Sequence, residues 1–399
     1  MTAPRIAGTR PAFFSRLLQP APIDDTLVLL CGFLGAVSFW STALAETTGG
    51  LILALSAVRL LVSGREGTPL EFCRGRDAQI AFALFALYAA AVVVSFLRAP
   101  TPFLRNPSLL WHPLILPALL VPVVRRRAII RAAMLFIAGG AASSVATLAI
   151  NFAGNREAEP FTFTGMTTFA DLLVIAGAAG VSTVLPASRL RFRSWMLAGS
   201  AMVLPAIAWS GERAPVLVAA GLGTARAARG GIALLLAWLC IAGACMAFAP
   251  SAFTEKMDWM MHGGQIDRYV IWEEGVRLAP GTPLFGYGPG SFARILPRGA
   301  WGRFMQRPPA SWHNDMLETW LGSGPLAALA LAGLIVVGCV QTVRGLAAAL
   351  RGRGRASAAE TGILFVILAL FGGVGSVVTT SLLGMAFWVL LALTLNPPE

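Results

Sequence analysis

The sequence is short of charged residues. Only 13% of its 399 residues are Asp, Glu, Lys or Arg, whereas 56% are hydrophobic. A soluble domain usually carries about 25% charged residues, so this chain has too little charge to be solvated by water along its whole length. We therefore expect most of it to lie in lipid, which excludes a soluble globular protein.

Lysine is almost absent. Lys256 is the only lysine, so arginines supply nearly all of the basic residues behind the net charge of +12. A basic chain can indicate nucleic acid, but nucleic-acid binders gather their basic residues into patches. Here the arginines bracket apolar runs, as they do in membrane proteins. No nucleic-acid partner is therefore expected.

Metal-ligand spacing is missing as well. Among the five cysteines, Cys240 and Cys245 are the closest pair, and neither has a histidine or an acid beside it. Gly286, Gly288 and Gly290 form a glycine cluster, but no strand precedes it and no helix opens from it with phosphate-loop spacing. We expect a tight turn at these glycines, and neither a metal nor a cofactor.

Apolar runs long enough to cross a bilayer recur along the chain. They predict an all-α, polytopic integral membrane protein with about twelve transmembrane helices in a single membrane domain, residues 1–399. The predicted spans are 26–44, 49–63, 78–97, 109–124, 128–150, 169–186, 194–210, 213–224, 231–250, 315–343, 360–379 and 382–396.

The arginines also predict the orientation of these spans. With the N-terminus in the cytoplasm, every cytoplasmic segment is basic, as the positive-inside rule requires. These segments are the N-terminal tail, 64–77, 125–131, 187–193, 225–230 and 344–359. Both termini are therefore expected to face the cytoplasm of a bacterial inner membrane.

One long polar segment, residues 251–312, joins the ninth and tenth predicted spans. The alternation of spans places it on the periplasmic side. Within it, Arg268 and Trp272 are spaced as neighbours on one face of an amphipathic helix, predicted for about 265–278. Pro280 then ends that helix. We expect this loop to cover an active site.

Ionisable residues are nearly absent from the middles of the predicted spans. A transporter usually needs acids or histidines at the membrane midplane, whereas Asp171 lies near the outer end of its span. Charge collects on the outer side, which favours chemistry on a lipid-anchored substrate. A transporter or flippase stays a distant alternative, and so does an assembly scaffold without enzymatic activity.

Two arginines are candidates for binding a phosphate. Arg213 follows Glu212 in a Gly- and Pro-flanked turn at the membrane edge, where a charged pair is unfavourable without partners. Arg268 has an aromatic neighbour, Trp272, on its own helix face. A guanidinium suits a phosphate because its planar fork holds two oxygens and stays charged. The alternative for each is an arginine lying among lipid headgroups.

His313 is the candidate base. Histidine is the side chain most easily poised near neutral pH, and Asp315 or Glu318 could orient its ring or tune its pKa. Asn314 and Asp315 are also good helix-capping residues. His112 falls on the outer side too and is the competing histidine.

The motifs around these residues resemble the bacterial O-antigen ligase and polymerase superfamily. Three motifs carry the resemblance, and they cover roughly residues 160–395. They are the Ser210–Ala214 turn, which departs slightly from the Ser-Arg-Gly-Ala of many relatives; Arg268 and Trp272 followed by Pro283 and the glycines at 286, 288 and 290; and His313-Asn314 followed by Leu317-Glu318, Gly322 and Gly324.

The resemblance implies a membrane glycosyltransferase of GT-C-like architecture. It implies a glycan donor linked to undecaprenyl diphosphate, used on the periplasmic side without nucleotide sugar or metal. Arg213 and Arg268 would then hold the diphosphate. His313 would take the proton of the acceptor hydroxyl, with inversion at the anomeric carbon.

Ligase and polymerase both stay open. A ligase transfers the glycan to a sugar of the lipid A-core, whereas a polymerase transfers it to a second lipid-linked glycan. Arg277 and Gly288 have the Arg-x10-Gly spacing known from some polymerases, but glycine is frequent enough here for this to arise by chance. The chain has one long outer loop, which favours a lipopolysaccharide ligase, with an O-antigen or exopolysaccharide polymerase as the alternative.

Overall fold

A computed structural model describes most of the chain. The described residues are 20–66, 76–99, 108–120, 126–154, 162–164, 166–183, 198–199, 201–210, 212, 214–221, 236, 267–296, 311–351 and 356–396. Within these residues the secondary structure is helical and contains no strand. The all-α class predicted from the sequence is therefore confirmed for this part of the chain.

The helices follow the apolar runs. Those of the membrane part are α1 (Pro20–Ser38), α2 (Thr42–Glu66), α3 (Arg76–Arg98), α4 (Ser108–Trp111), α5 (Ile115–Leu120), α6 (Arg126–Ala153), α7 (Met166–Thr183), α8 (Leu204–Ser210), α12 (Pro325–Leu350), α13 (Ala356–Val374) and α14 (Ser381–Leu395). The polar part holds α9 (Asp267–Leu278), α10 (Phe292–Ile295) and α11 (Asp315–Ser323). Residues 214–221 are also helical.

Five of the described helices are long and apolar enough to cross a membrane. They contain Ala21–Ser38, Thr42–Ser63, Arg76–Arg98, Arg127–Ala153 and Pro325–Ala348. Three shorter apolar helices accompany them, at Thr167–Ala179, Thr361–Val374 and Ser381–Leu395. The membrane character predicted from composition is confirmed, whereas the count of twelve spans stays a prediction. The span predicted at 231–250 lies almost wholly outside the described residues.

Small residues let α1 and α6 approach closely. A Cβ added to Gly32 of α1 would overlap the backbone of Ala132 in α6, and one added to Gly139 would overlap the backbone of Ala36. The two helices therefore approach backbone to backbone. In lipid, where apolar burial gives little drive for association, such close packing is a main source of helix affinity.

Helix α14 forms the centre of the bundle. Thirteen of its residues are buried, from Leu382 to Leu395, and it packs against α13 and α5. A helix that is apolar all round has no face for water. Trp388 fills the space towards α3, with its ring 5.6 Å from that of Tyr88.

Ion pairs tie helix ends together at one end of the bundle. Arg59 Nε lies 2.7 Å from Asp24 Oδ1, which joins the start of α1 to the end of α2. Arg344 Nη1 lies 2.5 Å from Asp77 Oδ2, which joins the start of α3 to the end of α12. The second pair brings together two of the segments predicted to share the cytoplasmic side.

Two predicted spans are interrupted. The span predicted at 109–124 is broken into α4, a 3-10 turn at His112–Leu114, and α5. Pro113 sits in the first turn of that 3-10 segment, and a proline there removes a backbone donor. The prediction of one continuous helix was wrong because the apolar pattern hides this break.

The span predicted at 315–343 is two helices, α11 and α12. Gly324 separates them with a φ of 93°, and Pro325 begins α12. A Cβ on Gly324 would overlap the carbonyl of Leu284. Only glycine fits both the backbone angle and the space. The break matters because it leaves α11 outside the candidate membrane span, where it carries the predicted site residues.

The first predicted span was displaced. It was expected at 26–44 but α1 runs from Pro20 to Ser38. The prediction began at the apolar run and left out Asp24 and Asp25. The helix includes Asp24 because its carboxylate meets Arg59 of α2.

Candidate active site

A small second hydrophobic core holds the polar part of the chain together. Its buried members are Ile271 of α9, Phe292 of α10, Leu321 of α11, and Leu296 and Trp312 between them. The rings of Phe292 and Trp312 meet edge to face, with centroids 4.7 Å apart. We call residues 267–296 and 311–323 the cap.

The cap begins with the amphipathic helix predicted from the sequence. Helix α9 runs from Asp267 to Leu278, within the predicted 265–278, and Pro280 follows it in a 3-10 turn. Ile271 faces the cap core, while Arg268 and Trp272 are half-buried one turn apart. The predicted helix and its arginine-aromatic face are confirmed.

The glycine cluster packs the first segment of the cap, residues 267–296, onto α11. The N–H groups of Tyr287 and Gly288 donate to the carbonyls of Leu321 and Gly322, each at 2.8 Å. The hydroxyl of Ser95, at the end of α3, donates to the same Gly322 carbonyl at 2.8 Å. The predicted tight turn with close backbone packing is confirmed, and it fixes the cap against the membrane bundle.

Trp312, the residue before His313, has both of its backbone polar groups hydrogen-bonded. The indole Nε1 of Trp272 donates to the carbonyl oxygen of Trp312 at 2.9 Å. The backbone N–H of Trp312 donates to Glu318 Oε2, also at 2.9 Å. One backbone unit therefore links α9 with α11, and its position determines where the histidine starts.

His313 has a strained backbone. Its φ is 48°, and it is the only non-glycine residue with positive φ among the described residues. Such a conformation costs about 1–3 kcal/mol and persists only where the surroundings impose it. Here Trp312 is fixed on one side and Asn314 on the other. The strain sets the direction in which the imidazole leaves the chain.

Asn314 fixes the chain after His313. Its Oδ1 accepts the N–H groups of Met316 at 2.9 Å and Leu317 at 3.0 Å, which caps α11. Its Nδ2 donates to the carbonyl of Gly373 at 2.8 Å, at the end of α13. The predicted capping role is confirmed, and the same side chain also ties α11 to the bundle.

Arg268 reaches the same helix end. Its Nη1 donates to the carbonyl oxygen of Val374 at 2.5 Å. Carbonyls in the last turn of a helix lack intrahelical donors, and the negative end of the helix dipole attracts a cation. This bond uses one of the five N–H donors of a guanidinium. The end of α13 therefore positions both Arg268 and Asn314.

The charge of Arg268 acts on His313. Burial of the imidazole lowers the pKa of His313 below its ordinary value, and the positive charge of Arg268 lowers it further. Both effects disfavour the imidazolium ion. His313 is therefore neutral near pH 7, which is the form that can accept a proton.

Asp315 and Glu318 hold backbone amides. Both oxygens of Asp315 lie 3.0 Å from the N–H of Val378, in the turn between α13 and α14. Burial raises the pKa of Asp315 well above its ordinary value, and burial raises the pKa of Glu318 to about 7. The hydrogen bonds of these carboxylates fix the chain around His313, and the charge that lowers the pKa of His313 is that of Arg268. That Asp315 or Glu318 orients the ring stays a prediction.

Glu212 lies at the same end of the bundle. Its Oε1 accepts the hydroxyl of Thr167 at 2.9 Å, which joins the turn after α8 to the start of α7. Its carbonyl accepts the N–H of Val216 at 3.3 Å, at the start of the 214–221 helix. Arg213, the second predicted diphosphate ligand, lies outside the described residues.

Asp171 is a site residue that the sequence did not identify. It is 6% exposed, and the charges of Glu212 and Arg268 both act on it. The signal in the sequence was a single acid near the outer end of an apolar run. That signal cannot reveal partners on other helices. The carbonyls of Gly373 and Val374 were missed too, because backbone atoms carry no sequence signature.

His112 has a different environment. It is fully buried, its ring meets that of Trp111 at 4.3 Å, and its turn packs against α14. Neither ring nitrogen has a hydrogen-bond partner. Of the two candidate histidines, His313 is the one next to the arginine.

The site thus gathers side chains from separate parts of the chain at one end of the bundle: Asp171, Glu212, Arg268 and His313. Within the described residues, no group of three or more His, Cys, Asp or Glu side chains could hold a metal ion. A cation, a neutral imidazole and two carboxylates can bind an anion and move a proton. The chain matches no family model, and no curated protein matches it significantly.

Proposed function

We propose that this protein is a membrane glycosyltransferase. It moves a glycan from undecaprenyl diphosphate to a sugar hydroxyl of the lipid A-core on the periplasmic face, as an O-antigen ligase does. The observation that carries the proposal is that the charge of Arg268 acts on a neutral His313, both within the cap. The motif resemblance supplies the identity of the donor and the acceptor.

The chemistry follows from these two residues. The imidazole of His313 takes the proton of the acceptor hydroxyl, and the oxygen attacks the anomeric carbon. The bond from that carbon to the diphosphate breaks, and its electron pair leaves on the diphosphate. Arg268, with Arg213, stabilises the charge that develops there. Attack opposite to the leaving group inverts the anomeric carbon.

The surrounding fold suits a lipid-linked donor. The polyprenyl tail of such a donor needs an apolar environment, and the helices long enough to cross a membrane supply one beside the cap. The charged groups of the site lie at one end of this bundle. A diphosphate headgroup with its tail in lipid would meet them there.

The orientation belongs to the same proposal. Both termini face the cytoplasm of a bacterial inner membrane, and the cap faces the periplasm. A cysteine placed at Gly264 should react with a membrane-impermeant thiol reagent in intact spheroplasts, while one at Glu399 should react only after lysis. The reverse pattern would contradict the proposed site of reaction.

A deletion strain tests the function. Loss of the protein should leave lipopolysaccharide as bare core, with lipid-linked polymer accumulating in the inner membrane. Core carrying a single repeat would instead indicate a polymerase. Loss of exopolysaccharide with unchanged lipopolysaccharide would indicate an exopolysaccharide enzyme. A strain with both glycans unchanged would contradict a role in glycan transfer.

A further inference from the structure

Asp171 is an unusual residue for its helix. It is the only ionisable side chain in α7, between Phe169-Ala170 and Leu172-Leu173, and it is 6% exposed. A carboxylate in such surroundings is strongly unfavourable without a partner. Residues of this kind in membrane proteins mark functional positions more often than structural ones. The site described above does not yet give it a task.

The local geometry directs Asp171 towards the site. Thr167 lies one helical turn before it, so the two residues share a face of α7. Thr167 donates to Glu212 at 2.9 Å, which shows that this face meets the turn after α8. Helix α7 also packs against α13, and the end of α13 holds Arg268 through the carbonyl of Val374. Asp171 therefore lies on the face of α7 that meets the turn after α8, in a helix packed against the one whose end binds Arg268.

The charges agree with this placement. Arg268 attracts the carboxylate of Asp171, and Glu212 repels it. Arg268 thus donates one hydrogen bond to the Val374 carbonyl and is also attracted by the carboxylate of Asp171.

We infer that Asp171 is a positioning residue, which turns the guanidinium of Arg268 towards the diphosphate of the donor. The inference rests on the proposed function for the identity of that anion. A guanidinium fixed before the donor arrives gives up less freedom on binding, and its fork meets two oxygens at once. The Val374 carbonyl supplies the hydrogen bond to the guanidinium, and the charge of Asp171 adds a second attraction.

Positioning by Asp171 and simple repulsion of the anion by Asp171 predict opposite effects on binding. Removing an acid from an anion site should tighten binding of the anion if Asp171 acts only by repulsion. If it positions Arg268, the change D171N should weaken binding. Asparagine has nearly the same shape as aspartate, so the variant changes the charge with little change in packing.

A double-mutant cycle tests whether Asp171 acts through Arg268. The four proteins are the wild type, D171N, R268Q and the double variant, purified as full chains in detergent. D171N is expected to raise the Kd for undecaprenyl diphosphate, and to lower kcat/KM for transfer, each about tenfold, which is typical of coupled neighbours. In the R268Q background the same change should have an effect of less than about twofold.

Two further variants separate positioning from folding. D77N removes an acid at the other end of the bundle, where Asp77 pairs with Arg344, and should leave the Kd unchanged. D171E keeps the charge and should retain more binding than D171N. If D171N does not fold, D171S removes the same charge, and D171S with its R268Q combination completes the cycle.

The outcomes are distinct. Tighter binding in D171N, or equal effects of D171N in both backgrounds, would overturn the inference. Coupling in the binding cycle without any transfer by the wild type would uphold the inference and contradict the proposed reaction. If the wild type transfers glycan and D171N behaves as the wild type does, the inference is contradicted and the proposed function is not.

Discussion

Replacing His313 with alanine is expected to lower the rate of glycan transfer by about 10²–10⁴-fold, the usual contribution of a positioned general base. The reason is the neutral state of the imidazole, which burial and Arg268 both favour. Without it, water must take the proton of the acceptor hydroxyl. The measurement is the transfer rate of purified protein with a lipid-linked donor and a saturating acceptor.

Asparagine gives a sharper test than alanine at this position. The φ of 48° at His313 is unfavourable for alanine, whereas asparagine adopts positive φ several-fold more readily. H313N therefore removes the base while keeping the backbone. We expect H313N to unfold at the same temperature as the wild type and to be as inactive as H313A. A folded H313N with wild-type turnover would remove His313 from the mechanism.

His112 provides the matched histidine control. It lies beside Trp111 at the start of a 3-10 turn, where it is fully buried and its ring has no hydrogen-bond partner. Phenylalanine can replace it without leaving a polar group unsatisfied. H112F is expected to retain transfer, since the proposed reaction needs only one base. Loss of transfer in a folded H112F variant would reopen the choice between the two histidines.

Much of the cap could be predicted from the sequence because its signals are local. The bounds of α9 follow from an amphipathic repeat and a proline. The start of α11 follows from Asn314, a good helix-capping residue, before an apolar run. The glycine turn follows from three glycines in five residues. Each of these features depends on residues a few positions apart, which a sequence displays directly.

The contacts between distant segments could not be predicted. Arg268 donates a hydrogen bond to the carbonyl of Val374, which lies 106 positions along the chain. The charges of Glu212 and Arg268 both act on Asp171. Which helix ends lie together depends on packing among many apolar faces, and these faces look alike in sequence. The break at Gly324 was missed for a related reason: its overlap partner, Leu284, lies in another segment.

Arg268 should be sensitive even to lysine. A lysine keeps the charge but lacks the planar fork that binds two oxygens. Loss of one donor to a developing anion lowers turnover by about 10²–10³-fold in comparable sites, and we expect R268K to fall in that range. R277K on the same helix is the control, because Arg277 is exposed and pairs with Glu274. Full activity in R268K would argue against a diphosphate clamp at this residue.

The pH profile separates the two roles of Arg268, its charge and its fork. A base works when it is unprotonated, so kcat/KM should fall in acid with a midpoint at the pKa of His313, below the ordinary value of 6.5. R268Q removes the positive charge, so the midpoint should rise towards 6.5. The imidazole is still buried in R268Q, so the midpoint should stay below 6.5. R268K keeps the charge, so its midpoint should stay near that of the wild type although its turnover falls. An unchanged midpoint in R268Q would mean that Arg268 does not set the protonation of His313, and the two residues would then contribute to transfer independently.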